Sequence, residues 1–249
     1  MTSHTEKETI IHDHFSSILH RPPPRPRTLN WNVIHGDVGT DTPLGGIGNP
    51  ITEGEVLHAI TTMPSDKAPG PDGYTGAFFK ACWPIIKEDV MRVFGLISNL
   101  HGENFHLLNS ALVALLPKKE GAESIGDFRP ISLIHAIAKI LAKVMALRLA
   151  PLMDTLVSHS QSAFIRTRSI HDNFLFVRNF ARKLHRNRTP ALLFKLDIKK
   201  AFDSIRWDYL FDLLRHLGFP SRFLGWLTIS PLLFNGVPGC PIRHGRGLR

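Results

Sequence analysis

The stretch LLFKLDIKKAFDSI, from Leu192 to Ile205, decides the fold class of this chain of 249 residues. It opens with an apolar run, which predicts a buried strand, and the first acid, Asp197, stands where that run stops. Burying a carboxylate without a partner is costly, so Asp197 is expected to be solvated, hydrogen-bonded or bound to a metal ion. An equally open interpretation is that Asp197 caps the following turn or pairs with Lys199 or Lys200.

The composition favours an anionic partner and excludes two classes of protein. Thirty Lys and Arg against 21 Asp and Glu residues give a net charge of +9, an excess that favours polyanions without fixing a fold. Cys82 and Cys240 have no C-x-x-C spacing, which argues against a cysteine-based zinc site and a disulfide-stapled secreted domain. The sequence shows neither a signal peptide nor an apolar run of membrane-spanning length. We therefore expect a soluble intracellular protein without a membrane partner, in the nucleus or the cytoplasm.

Helical patterns outnumber strand patterns along the chain, and no regular βαβ alternation occurs, which predicts a helix-rich α+β fold. Proline and glycine clusters predict a poorly ordered leader over residues 1–50, which contains one short amphipathic helix before residue 20. Thr52-Glu53-Gly54-Glu55 has the pattern of a capping box. The elements predicted after it are a helix that stops at Pro64, helices over about 78–100, 133–152, 173–184 and 207–217, and a strand over 111–116.

The opening stretch resembles the first palm motif of reverse transcriptases, in the branch encoded by non-LTR retrotransposons of plants. Four other segments resemble motifs of that family, in the family's order. They are KAPGPDG (67–73), LPKK with DFRPISL (116–119 and 127–133), QSAFIRTRSIHDN (161–173) and NGVPGCPIRHGRGLR (235–249). The resemblance implies a partial right-hand polymerase domain over residues 51–249, with fingers over about 51–185 and part of the palm over about 186–249.

The resemblance also implies template-directed DNA synthesis, with an RNA template, a DNA primer and deoxynucleotides as partners. Polymerases of this kind use two Mg²⁺ ions bridged by carboxylates, because Mg²⁺ prefers hard oxygen ligands. Asp197 matches the first metal ligand and catalytic carboxylate, with the backbone carbonyl of Ile198 beside it. Phe202 matches the ring that lies beneath the incoming sugar and rejects a 2′-hydroxyl. An ordinary core ring is the alternative for Phe202.

Cations of the other motifs match positions that bind phosphate groups. Lys118 and Arg129 match the fingers positions that grip the triphosphate of the incoming nucleotide, and solvated surface cations are the alternative. Four residues of the following motif match template-binding positions: Gln161, Arg166, Arg168 and Asn173. The family usually has a glycine immediately before the second of these arginines. This chain has Thr167 there, which puts the local loop geometry in question.

The metal site needs at least one more carboxylate, which the family supplies from an acidic pair well downstream. No Asp or Glu follows Asp212 in this sequence. We therefore expect a truncated fragment of a retrotransposon RNA-directed DNA polymerase that does not polymerise by itself. A non-catalytic nucleic-acid-binding or interaction module and a decayed reading frame without selected function are the alternatives. The sequence leaves the oligomeric state open.

Overall fold

The computed structural model of the chain describes residues 4–19, 43–100, 108, 110–197, 205–229 and 242–243. Helices dominate these residues, and the small sheet is compatible with the predicted α+β class. In chain order the elements are α1 (His4–Leu19), α2 (Glu53–Thr62), α3 (Gly76–Ser98), β1 (Ala111–Pro117), a 3₁₀ turn (Ile125–Asp127), β2 (Phe128–Ile134), α4 (Ala136–Leu149), a 3₁₀ turn (Ala150–Leu152), α5 (Met153–Leu156), α6 (Ile170–Arg186), α7 (Trp207–His216), α8 (Ser221–Ile229) and β3 (Ile242–Arg243).

Local signals place α2 and α3 as predicted. The capping box before α2 is present, because the Thr52 hydroxyl accepts from the Glu55 amide (3.4 Å) and the Glu55 carboxylate accepts from the Thr52 amide (2.9 Å). Helix α3 buries five of the six residues of the apolar stripe that its periodicity predicted, and the sixth, Ile86, is partly buried; the five are Phe79, Trp83, Val90, Phe94 and Ile97. The predicted strand over 111–116 is present as β1, and the three predicted helices after it are present as α4, α6 and α7, with ends shifted by a few residues.

Three strands form the described sheet, in the order β2-β1-β3. Strands β1 and β2 are antiparallel, with a register that runs from Ala111 opposite Ile134 to Pro117 opposite Phe128. Strand β3 pairs in parallel with the start of β1. The sequence did not reveal β2, because it contains a proline, Pro130, which lacks an amide for the ladder. An edge strand such as β2 tolerates that loss.

The core lies between α2, α3, α4 and α8, around the fully buried side chains of Phe94, Trp226 and Ile140. The Trp226 indole donates to the Ile97 carbonyl (3.0 Å), which ties α8 to the end of α3. Helix α8 was not predicted from the sequence. Among the helices that the structure describes, none combines the length and the apolar character that a membrane crossing requires.

Two predictions about order along the chain need correction. The prediction of a poorly ordered leader is wrong for residues 43–50, because Leu44 and Ile47 are buried in the core. The short helix predicted near the N-terminus is confirmed as α1.

The prediction of a strand at the start of the opening stretch is also wrong. Residues 191–197 form no strand in the structure, and Leu192 is 90% exposed and Leu196 78% exposed. An apolar run becomes a strand only beside a partner, and the described strands pair elsewhere.

Candidate nucleotide and nucleic-acid site

The β1–β2 hairpin carries the two predicted triphosphate-binding cations at its turn end. Lys118 directly follows β1, and its backbone amide donates to the Asp127 carbonyl (2.7 Å) while its ammonium donates to the Gly126 carbonyl (2.7 Å). Arg129 lies opposite Leu116 in the strand register. The side chains of Lys118 and Arg129 are both exposed. Two accessible cations therefore lie at one end of the hairpin. Their contact with a triphosphate stays a prediction.

A fixed ion pair lies beside these cations. The Lys119 ammonium is 3.0 Å from the Asp127 carboxylate, and its hydrogen bond is the main reason that the pKa of Asp127 lies below its usual value. At neutral pH Asp127 is thus ionised and already paired with Lys119. The two lysines of the LPKK segment consequently have different surroundings, because Lys119 forms an ion pair with the Asp127 carboxylate, whereas the Lys118 ammonium donates to the Gly126 carbonyl.

Arg168 stabilises the loop before α6 through hydrogen bonds from a largely buried guanidinium. Its side chain is only 10% exposed, and its guanidinium donates to the carboxylate of Asp154 (3.2 Å). Its four other N–H groups donate to backbone carbonyls of Asp154 (3.1 Å), Val157 (2.9 Å), Ser158 (2.5 Å) and Gln161 (2.8 Å). All five donors are therefore used. This geometry leaves Arg168 no N–H for the predicted contact with a template phosphate, because all five N–H groups donate to residues of the loop and of the segment before it.

The threonine in place of the family's usual glycine fits this loop without strain. The Thr167 hydroxyl donates to the Asp154 carboxylate, 2.9 Å from each oxygen. Thr167 does not have a positive φ, whereas Phe164 does (66°) and exposes 96% of its surface. The left-handed position of the loop is thus Phe164, and position 167 does not require the conformational freedom of glycine.

The other predicted template contacts divide into two groups. The Asn173 amide donates to the Ser160 carbonyl (3.0 Å), and the Gln161 amide donates to the Ala163 carbonyl (3.5 Å), so both side chains also stabilise the loop. Arg166 is exposed and has no hydrogen-bond or ion-pair partner within the part of the chain that the structure describes. Of the four predicted residues, Arg166 is the one whose surroundings best suit contact with a phosphate.

Asp197 stands at the end of the exposed segment 191–197, and its side chain is accessible to solvent. The predicted positions Ile198 and Phe202 lie outside the described residues. Within the described ranges, no group of three or more His, Cys, Asp or Glu side chains is arranged to hold a metal ion. One exposed carboxylate does not supply the bridging oxygens that paired Mg²⁺ ions need, so the described residues do not fit that cofactor.

The KAPGPDG segment is held against the junction of β2 and α4 by contacts between residues far apart in the sequence. The Asp72 carboxylate accepts from the Ala136 amide (2.6 Å) and so caps α4 from a residue 64 positions earlier. His135 connects the same junction to the residue before β1, since its Nε2 lies 2.9 Å from the Ser110 hydroxyl. A Cβ at Gly70 would collide with the Ile134 carbonyl, so only glycine permits this close approach. No local pattern signals these contacts, because every partner lies on a distant segment.

Comparison with known proteins identifies the family to which this arrangement belongs. Residues 116–246, just over half of the chain, match the family described as reverse transcriptase (RNA-dependent DNA polymerase). The chain belongs to the reverse transcriptase family. The matched residues include Lys118, Arg129, the loop before α6 and Asp197. The predicted resemblance to reverse transcriptases is therefore confirmed.

Three relatives place this reverse transcriptase sequence among the non-LTR, LINE-type elements. It is 32% identical over 206 residues to the Xenopus laevis protein named Transposon TX1 uncharacterized 149 kDa protein, across 80% of this chain and 16% of the relative. It is 28% identical over 204 residues to the Pol polyprotein of the R2DM retrotransposable element of Drosophila melanogaster, across 82% of this chain and 18% of that protein. A Pol polyprotein of an R2 element of Nasonia vitripennis is 28% identical over 214 residues, across 83% of this chain and 20% of its own length. The chain thus carries part of a reverse transcriptase domain and spans a fifth or less of these relatives.

Proposed function

We propose that this chain provides the fingers and the first part of the palm of a right-hand RNA-directed DNA polymerase encoded by a plant non-LTR retrotransposon. Its share of that activity is to hold the RNA template, the primer end and the incoming deoxynucleotide. The plant assignment rests on the resemblance of the five motifs. The single observation that supports the binding role is the exposure of Lys118, Arg129 and Arg166 within the family-matched region.

The three cations have suitable chemistry for phosphate groups. Arginine binds a phosphate through two parallel N–H donors, whereas lysine acts as a compact point charge. Arg129 and Lys118 lie at one end of the hairpin, which suits the clustered charges of a triphosphate. Arg166 lies on a loop that Arg168 holds from the inside, which suits a single contact with the template backbone. Exposed side chains on supported loops bind with little reorganisation.

The catalytic assignment goes further than the binding role. We assign Asp197 and the carbonyl of Ile198 to the metal site, and Phe202 to the discrimination between deoxyribose and ribose, by the match of FKLDIKKAFDSI to the first palm motif. The 249 residues contain no acid after Asp212. We therefore propose that a polypeptide of these residues binds nucleic acid without template-directed incorporation, because it offers one carboxylate where paired ions need several.

Salt-dependent RNA binding tests the binding role. A labelled RNA template–DNA primer is titrated at several salt concentrations, and the logarithm of the association constant is plotted against the logarithm of the salt concentration. The slope of this plot should be about −0.7 for each single-strand phosphate that the chain neutralises. Replacing Arg166, the residue assigned to the template backbone, with glutamine should reduce that slope by about 0.7. Arg92→Gln is the matched control, because Arg92 is an exposed arginine that already pairs with Asp89 (3.0 Å). The binding proposal would be contradicted if the chain did not bind at low salt, or if every variant had the same slope as the unmodified chain.

Primer extension tests the catalytic part separately. With Mg²⁺, template, primer and deoxynucleotides, we expect no incorporation by the polypeptide of these residues. Templated incorporation would overturn the proposed incompleteness and leave the binding role standing.

A non-catalytic nucleic-acid-binding module is the second candidate, favoured by the lack of a clustered metal-binding group among the described residues. Such a module would bind single-stranded RNA and a primer–template duplex equally, whereas a polymerase fragment should prefer the primer–template.

A further inference from the structure

A cavity of about 270 Å³ opens where the end of α2, the KAPGPDG loop, the start of α3 and α4 meet. Its walls are mainly apolar and include Met63, Pro64, Tyr74 and Ala136. Tyr74, which lines the cavity, is half-exposed, and its ring stacks on Phe78 at a centroid distance of 4.3 Å. No predicted nucleotide-binding or template-binding residue lines this cavity.

Three lysines line the same cavity, and no acidic side chain does. Lys139 donates to the Ala68 carbonyl (3.0 Å), which fixes its ammonium at the KAPGPDG loop. Lys67 is exposed and Lys143 is half-buried, and neither has a hydrogen-bond or ion-pair partner among the described residues. Two acids lie near the loop, but neither lines the cavity: Asp66, beside Lys67, is exposed, and Asp72 accepts from the Ala136 amide. Among the described residues, Lys67 and Lys143 are therefore not paired with a carboxylate.

The N-terminus of α3 adds to this positive charge. Thr75 and Gly76 line the cavity, and α3 extends over 23 residues from there. The N-cap residue Thr75 makes no side-chain hydrogen bond to the first turn, in which the Ala77 amide donates to the Ser65 carbonyl (3.1 Å). A Cβ at Gly76 would collide with the Pro64 carbonyl, so glycine is required for α2 and α3 to close the cavity wall.

We propose that this cavity binds one nucleotide, with its base against the apolar wall beside Tyr74 and its phosphate between Lys67 and Lys143. An apolar wall with an aromatic face suits the flat face of any base, and paired cations suit the phosphate. The combination explains why apolar and cationic groups share one cavity. The phosphate is either that of a free mononucleotide or that of a nucleotide within a single strand. This proposal does not depend on the binding role proposed above, because it uses other residues.

Methyl NMR of the full chain, labelled at its methionine methyl groups, tests the proposal locally. Met63 lines the cavity, and Met63→Leu assigns its resonance. Three probes are compared: uridine 5′-monophosphate, a six-residue oligouridylate and inorganic phosphate. A shift of the Met63 resonance with the mononucleotide supports a free-nucleotide site, and a shift with the oligouridylate alone supports a strand-held nucleotide. No shift with either, or an equal shift and affinity with inorganic phosphate, would overturn the proposal.

Charge variants provide the second readout. Because two cations of this cavity contact phosphate, they should contribute about 7-fold to the fall of oligouridylate affinity between 50 and 200 mM salt, and Lys143→Gln or Lys67→Gln should each make that fall about 2.6-fold smaller. Lys87→Gln is the matched control, since Lys87 is on α3, pairs with Glu53 (3.4 Å) and does not line the cavity. Its salt dependence should equal that of the unmodified chain. Equal salt dependence in the Lys143 and Lys67 variants would contradict the assigned phosphate contacts.

Discussion

Arg148 makes the densest set of long-range contacts in the described core, and its removal tests how the fold is held together. Its side chain, on α4, is 10% exposed and donates to both carboxylate oxygens of Glu55 (2.6 and 2.7 Å). It also donates to three carbonyls of the segment before α2: Ile47 (3.0 Å), Asn49 (2.6 Å) and Pro50 (3.0 Å). The guanidinium lies 5.4 Å from the centre of the Trp226 ring. One residue thus joins four segments.

Arg148→Met should lower the free energy of unfolding by about 3 kcal/mol. Breaking a buried ion pair on one side costs about 3–5 kcal/mol, because the remaining charge and carbonyls lose their donors. The expected cost lies at the lower end of this range, because the Glu55 side chain is 33% exposed and water hydrates its carboxylate once Arg148 is removed. Arg148→Lys should cost about 1–2 kcal/mol, since lysine keeps the charge but loses the bidentate geometry.

The same contact predicts an acid dependence. The hydrogen bond from Arg148 is the main reason that the pKa of Glu55 falls from 4.5 to about 2. A carboxyl whose pKa is lowered on folding stabilises the fold above its unfolded pKa, and that contribution is lost as pH falls through the folded pKa. The window is therefore about pH 5 to 2. With solvent screening of a side chain 33% exposed, the contribution is about 2 kcal/mol.

Urea unfolding followed by tryptophan fluorescence, repeated from pH 7 to pH 3, measures both effects. Glu55→Gln should lose this part of the acid dependence, and Arg148→Met should lose it too. Arg92→Met is the control, because its pair with Asp89 is 73% and 78% exposed and should contribute less than about 0.5 kcal/mol. A cost below about 1 kcal/mol for Arg148→Met, or an unchanged acid dependence in Glu55→Gln, would refute the reasoning.

Three further substitutions test the contacts that position the site. Gly70→Ala should destabilise the chain by at least about 2 kcal/mol in thermal unfolding, because its Cβ would collide with the Ile134 carbonyl. Asp72→Ala should cost about 1–2 kcal/mol in urea unfolding, because the Ala136 amide loses its capping carboxylate. Arg168→Lys should speed limited proteolysis of the loop before α6, because lysine has three donors where the loop uses five.

Each of these substitutions has a control on the same molecule. Gly54→Ala, which has no atom within 4 Å of its new Cβ, should be neutral or slightly stabilising. Asp66→Ala removes an exposed acid just before the same loop and should leave stability within about 0.5 kcal/mol. Arg166→Lys should leave proteolysis unchanged. The structural assignments would be contradicted if any test variant matched its control.

The sequence by itself determined the elements whose signals are local, together with the family. The capping box at Thr52 and the apolar stripe of α3 were readable because a helix repeats every 3.6 residues and satisfies its backbone within itself. Family membership was readable from motif order, which residues 116–246 confirm. The cations Lys118 and Arg129, which the structure shows to be exposed, were predicted in the same way, from motif positions, and their binding role stays a prediction.

Tertiary structure alone decided which distant groups meet. The Asp72 cap on α4 and the Arg148–Glu55 pair join residues 64 and 93 positions apart, and no periodic pattern encodes such distances. It also decided that Arg168 holds its own loop and that residues 191–197 lie exposed instead of in a strand. The physical reason is common to all four: a helix supplies its own hydrogen-bond partners, whereas a strand, a guanidinium or a buried carboxylate depends on partners that only the folded chain brings near.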